Sequence, residues 1–219
     1  MKTERSLLRI ALCVLISAVF AATAIAQSSS PSAAKSSVYD TLLSKVKGGD
    51  MAIDFQALRF SFAEKTASEE RTPDAKLHLA MLKFLNEKNF KEAVKIADTI
   101  HKVNFVDMTS HIVAAMAYEG LKDAKKSKFH EGVYLGLVNS ILKDVDGSSP
   151  KTAYTVISVA EEYVLLNALE LKRGTQEVEN ADGSTFHVLT ATDKATNEPV
   201  KLYFNIDKVA LSLNKVPVK

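Results

Sequence analysis

The chain has 219 residues, of which 47% are apolar and 25% charged, with 28 basic against 26 acidic side chains. This is the composition of a folded globular chain. It excludes charge-driven disorder, a collagen-like repeat, a disulfide scaffold and nucleic-acid binding by bulk positive charge.

Residues 1–26 have the pattern of a secretory signal peptide. Lys2, Arg5 and Arg9 form a basic start, Ile10 to Ala22 is apolar, and Ala24-Ile25-Ala26 supplies the small residues that signal peptidase accepts. The expected cut follows Ala26, which places the protein in the periplasm or outside the cell, with no transmembrane span left after cleavage. Removing 26 residues leaves 193. Lys2, Arg5, Arg9 and Glu4 go with them, so 25 basic residues face 25 acidic ones. The single cysteine, Cys13, lies inside the apolar stretch. It has Leu12 where a lipid-attachment site wants a small residue. The expected mature chain therefore has no thiol chemistry and no charge bias toward an anionic partner.

Residues 27–37 are rich in Ser and Ala and read as a flexible leader. From 38 to about 145 the pattern is helical. Tyr39, Leu42, Leu43 and Val46 recur at helical spacing, and Gly48-Gly49 stops that helix. Asp54 is placed to cap the next, which buries Phe55, Leu58 and Phe62. Thr72-Pro73-Asp74 starts a third, with Leu77, Ala80, Met81, Phe84 and Leu85 on its stripe. After a break at Glu87-Lys88-Asn89, Phe90, Ala93, Val94, Ala97 and Ile100 form the cleanest stripe in the chain. Asp107 opens a fifth helix carrying Ile112, Ala115 and Tyr118, and a sixth follows Gly120 to Asp123 with Phe129, Val133, Leu137 and Ile141. The short breaks predict antiparallel hairpins. Ala80 and Phe84 map onto Ala114 and Tyr118 at a spacing of 34 residues, the tetratricopeptide period, though the match is degenerate elsewhere.

Asp146-Gly-Ser-Ser-Pro150 marks a boundary. Residues 150–207 predict a strand over Thr152–Val159, a helix over Ala160–Leu171 ended by Gly174, and three more strands. One of these turns at Asp182-Gly183, and the last alternates Val200, Leu202, Phe204 and Ile206 with Lys201, Tyr203 and Asn205. Residues 208–219 read as a tail. The expected fold class is α+β: a helical-hairpin, tetratricopeptide-like stack followed by a small β-α-β-β-β antiparallel sheet covered by its helix.

Gly49-Asp50, Ile53-Asp54-Phe55, Leu58-Arg59, Asn104-Phe105-Val106-Asp107 with His111, Lys128-Phe129-His130, Asp146-Gly147-Ser148-Ser149-Pro150, Glu161-Glu162-Tyr163 and Leu202-Tyr203-Phe204-Asn205-Ile206-Asp207 occur together. In this combination the chain resembles the bacterial family known as domain of unknown function 4919, over about residues 38–207. The resemblance implies a secreted or envelope bacterial protein with no assigned activity, and it carries over no catalytic residue.

Nucleotide-binding, zinc-protease and nucleophile-elbow motifs are missing from the sequence. Gly132 and Gly136, four apart, predict close helix packing, and Asp144-Val145-Asp146-Gly147 predicts a turn. The best polar constellation is Asp107, His111 and His130. Asp107 and His111 share a helix face, and His130 falls opposite them if the next helix folds back near residue 122. Such a cluster is either a structural polar contact or a site for acid–base chemistry or a divalent metal; no other cofactor is evident. Arg59 and Asp54 are expected to pair across the first hairpin, Lys122 to Lys128 to form a solvated helix start, and His78, His101 and His187 to lie at the surface without partners. Two functions follow. One is an exported binding or assembly module that holds envelope proteins or peptides in a helical groove. The other is a hydrolase or metal-dependent enzyme built on Asp107, His111 and His130.

Overall fold

A computed structural model describes residues 37–66 and 75–209. The expected signal peptide with Cys13, most of the expected leader, the expected Thr72-Pro73-Asp74 helix start and nearly all of the expected C-terminal tail lie outside the described residues. The six expected helices are present as α1 (Val38–Lys47), α2 (Phe55–Thr66), α3 (Ala75–Asn86), α4 (Phe90–Val103), α5 (Met108–Gly120) and α6 (Ala124–Leu142). A 3-10 turn over Pro150–Thr152 leads to β1 (Tyr154–Thr155), α7 (Val159–Ala168), β2 (Leu171–Ala181), β3 (Ser184–Asp193) and β4 (Pro199–Asn205). The class is α+β.

The helix ends follow from local chemistry. Side chains of Ser37, Asp54, Asp107 and Asp123 accept backbone N–H groups of Asp40, Ala57, Ser110 and Lys126, satisfying donors that the helix leaves open. At their C-termini α1, α3 and α5 share one turn. In α3, Lys88 N–H donates to the Leu85 carbonyl and Asn89 N–H to that of Phe84, at 3.0 and 2.8 Å. In α5, Lys122 and Asp123 do the same to Glu119 and Tyr118, both at 2.9 Å. In α1, Gly49 and Asp50 repeat it on Val46 and Lys45. Each turn needs one residue at positive φ, and Gly49, Lys88 and Lys122 supply it at 95°, 58° and 61°. Lys88 and Lys122, like Phe84 and Tyr118, are 34 residues apart, so the period seen in the sequence recurs as a repeated helix stop.

The described residues hold two main cores. Met81, Ala93, Val94, Ala97, Ile100, Val113, Ala114, Ala117 and Tyr118 close one among α3, α4 and α5. The larger joins α1, α2, α6 and α7 to one face of the sheet. There Gly136 of α6 lies against the Phe55 ring, where any β-carbon would collide with it, so Gly136 serves close packing, whereas a β-carbon at Gly132 would meet Met51 only at an ordinary contact distance of 3.7 Å.

The sheet order is β1-β4-β3-β2. β4, β3 and β2 are antiparallel, but β1 runs parallel to β4, with Tyr154 opposite Phe204. The sheet is therefore mixed, a correction to the antiparallel expectation. The first strand shrinks to two residues because the Ile157 N–H is taken by the Glu161 carboxylate, turning the chain into α7. α7 ends at Ala168, not at Gly174: Glu170 takes φ 56° and breaks the helix. Gly174 instead sits inside β2 beside an irregularity in pairing between Arg173 and Gln176. A β-carbon there would meet the Thr190 carbonyl oxygen at 2.7 Å. Leu189, Ala191, Leu202 and Phe204 face the large core, while Tyr203, expected to be wet, is covered with Phe186 and Val188 on the other face.

Candidate functional site

Three histidines meet where α4, α5 and α6 pack. His101 lies in the last turn of α4, His111 one turn into α5, and His130 nearly two turns into α6. All are buried, at 9%, 0% and 7% exposure. The expected return of α6 onto α5 brings His111 Nδ1 to 3.0 Å from His130 Nδ1. His101 stacks on both rings, with centroids 4.1 Å from His111 and 5.2 Å from His130. One ring nitrogen from each residue lies within 4.8 Å of the others. Phe105 and Phe129 meet the rings edge-on, and Tyr118 stacks on His130.

The hydrogen bonds fix the protons. His111 Nε2 lies 2.8 Å from the Phe105 carbonyl oxygen, which only accepts, so Nε2 carries the hydrogen and Nδ1 a lone pair. His130 Nδ1–H then donates to that lone pair. His101 Nε2 is buried with no hydrogen-bond partner, which costs about 1–3 kcal/mol for a polar group removed from water. Burial is the main force holding all three rings neutral. It lowers His101 to about 2, helped by His111, His130 and Lys47. It lowers His111 to about 3, against the Phe105 carbonyl. It lowers His130 to about 4, with Lys126 adding to the effect.

Asp107 does not complete this cluster. One carboxylate oxygen accepts the Ser110 N–H at 2.8 Å as the cap of α5, and the other lies 2.9 Å from His78 Nε2. The bond to Asp107 raises the His78 pKa. Burial pushes the Asp107 carboxyl upward, but the bonds from His78 and Ser110 outweigh it and leave the pKa below the usual carboxylate value. His78 and His101 are thus not the unpartnered surface residues expected. Nor is His187, whose Nδ1 is 2.7 Å from the buried Glu162. Burial raises the Glu162 pKa against that contact.

Arg59 also finds a different partner. Asp54 is engaged as the α2 cap, and Arg59, with no exposure, reaches instead to Glu161. Its Nε and Nη2 donate to the two carboxylate oxygens at 2.9 and 2.5 Å. Nη2 also reaches the Thr155 carbonyl at 3.0 Å, and Nη1 the Ser140 hydroxyl at 3.3 Å. This buried fork ties α2 to α6, β1 and α7.

Two open grooves flank α6. One, of about 870 Å³, lies between α6 and residues 51–56. Met51, Ile53 and Leu142 supply apolar surface, with Gln56, Asn139 and Lys143 exposed around them. The other, of about 540 Å³, lies between α5 and α6 and includes the half-exposed Met116. Neither groove is lined by His101, His111 or His130. Lys122 to Lys128 behave as a solvated helix start capped by Asp123, and Asp146 accepts the Ser148 N–H and hydroxyl in a tight turn. No helix among the described residues is long and apolar enough to cross a membrane.

No curated protein and no solved structure matches the chain. The family described as a domain of unknown function (DUF4919) matches residues 28–215, and the chain belongs to that family.

Proposed function

We propose that this is an exported bacterial protein of the cell envelope that acts as a binding or assembly module, holding a peptide segment of a partner in the groove beside α6. The observation that carries this reading is the groove itself, with apolar Met51, Ile53 and Leu142 and the amides and ammonium of Gln56, Asn139 and Lys143 at its edge. Apolar surface with a few polar groups at its margin suits an extended peptide, whose side chains bury while its backbone hydrogen-bonds to the amides. Helix α6 supplies one wall and residues 51–56, leading into α2, the other.

Selection of peptides from a random library on the purified protein tests this. The expected result is a reproducible apolar consensus whose retention is lost in the Gln56→Ala/Asn139→Ala/Lys143→Ala variant, which changes only exposed side chains. No consensus, or equal retention by that variant, overturns the groove reading. Export is tested separately by N-terminal sequencing of protein from the envelope fraction. A chain beginning at Gln27 supports it, and one beginning at Met1 overturns it.

A further inference from the structure

We infer that His101, His111 and His130 together bind one divalent transition-metal ion of the zinc class. Imidazole nitrogen is a preferred ligand for such ions, and three from separate helices with further positions left to water is a known zinc arrangement. Three observations point to a ligand rather than to packing alone.

The first is convergence. One nitrogen from each ring already lies within 4.8 Å of the others. Zinc–nitrogen bonds of about 2.0–2.1 Å at tetrahedral angles place ligand nitrogens roughly 3.3 Å apart. The His111–His130 pair, at 3.0 Å, is close to that spacing, and the third nitrogen, within 4.8 Å, would have to close in on the ion by a shift of the His101 ring.

The second is orientation. A metal-bound histidine usually donates its other ring N–H to a carbonyl or carboxylate, which fixes the tautomer. His111 has that bond in place, Nε2–H to the Phe105 carbonyl at 2.8 Å, leaving the Nδ1 lone pair on the cluster side. A metal would take the place of the hydrogen that His130 Nδ1 shares with it, and that hydrogen would move to His130 Nε2, keeping the ring neutral.

The third is the buried orphan. His101 Nε2 has no hydrogen-bond partner, although the residue is only 9% exposed. Buried polar atoms normally find partners, and coordination would satisfy this one.

The charged groups acting on the trio are Lys47 of α1 and Lys126 of α6, which oppose a cation, and Asp107 at the start of α5, which favours one. The chemistry is ligation by neutral nitrogen alone.

The test is a Co2+ titration of untagged, metal-stripped protein. The expected result is one equivalent per chain, with the intense visible bands of low-coordinate, nitrogen-bound Co2+ that Zn2+ abolishes. His101→Phe and His130→Phe keep an aromatic ring in each stack and remove its nitrogens. With unchanged far-ultraviolet circular dichroism, each should lower Co2+ affinity roughly 100-fold or more. Absence of stoichiometric binding by the wild-type chain overturns the proposal, as does a folded variant that keeps the wild-type spectrum. Should neither variant fold, imidazole nitrogen NMR of the wild-type chain decides. Zn2+ must shift the signals of these three histidines, and shifts confined to His78 and His187 overturn the site.

Discussion

Mild acid should destabilise the metal-free protein steeply, well above the range where carboxylates titrate. An unfolded histidine titrates near about 6.5, whereas His101 and His111 are lowered to about 2 and about 3 in the fold. The unfolded chain therefore takes up protons first as the pH falls. The stability that these neutral rings contribute is complete above about pH 6.5 and is lost as the pH drops toward their folded values. Each such ring costs about 1.4 kcal/mol per pH unit in that window. At pH 5.0 the two together lose about 4 kcal/mol, a large share of the 5–15 kcal/mol that typically holds a domain. His130, equally buried and lowered to about 4, is also still neutral in the fold at pH 5.0, so it adds about 2 kcal/mol in the same direction. His78 opposes: the bond to Asp107 raises its pKa, so its stabilisation is present below about 6.5 and fades as the pH rises through the raised value. The buried Glu162, also raised, opposes in the carboxylate range. Urea unfolding with a chelator present, at pH 7.5 and pH 5.0, measures the difference, and His101→Phe should remove about a third of it. A change in unfolding free energy below about 1 kcal/mol between the two pH values would refute the account of three neutral, buried imidazoles.

Other outcomes follow from single contacts. Arg59→Met should cost about 3–5 kcal/mol in urea unfolding, because Glu161 is left buried and unpaired. Arg59→Met/Glu161→Leu should recover part of that loss but not all, since Ile157 N–H loses its acceptor. Gly136→Leu should lower the thermal midpoint by an amount equivalent to about 1–3 kcal/mol or more, through collision with the Phe55 ring. Gly132→Ala, whose β-carbon meets Met51 sulfur at 3.7 Å, should change it little. Asp107→Ala should cost about 0.5–2 kcal/mol as a lost helix cap. By histidine proton NMR it should also return the His78 pKa toward its ordinary value.

The helices were legible because their determinants are local. A capping side chain, an apolar stripe and a stop fall within one stretch of sequence, and Asp54, Asp107 and Asp123 cap where that grammar puts them. Lys88 and Lys122 show the limit of composition. Positive φ at a helix stop points to Gly, yet two lysines adopt it because the backbone bonds to Phe84 and Tyr118 hold the turn. The sheet was less legible at its first strand. Nothing local distinguishes a two-residue parallel strand from a longer antiparallel one. The length is decided by Glu161 catching the Ile157 N–H, and Glu161 is held in turn by Arg59, 102 residues away.

The candidate site was half legible for the same reason. His111 and His130 could be brought together from one hairpin turn and the rise of a helix, and they meet at 3.0 Å. His101 lies on the preceding helix, so its placement depends on how α4 leans on α5, which no spacing within a single hairpin encodes. A signal was nevertheless present. His101 falls one residue after Ile100, at the end of the cleanest apolar stripe in the chain, and the stripe's packing carries the ring inward beside it. Asp107 misled because one carboxylate fits two roles, and the local role as a cap constrains it first. With the cap made, its second oxygen turns to His78 on α3. The carboxylate leaves the site, and the third histidine takes its place. A trio of neutral rings with no carboxylate bonded to it has no strong base at pH 7 that could drive proton transfer, but it retains nitrogen lone pairs. That contrast favours coordination over acid–base catalysis as the chemistry these residues can perform.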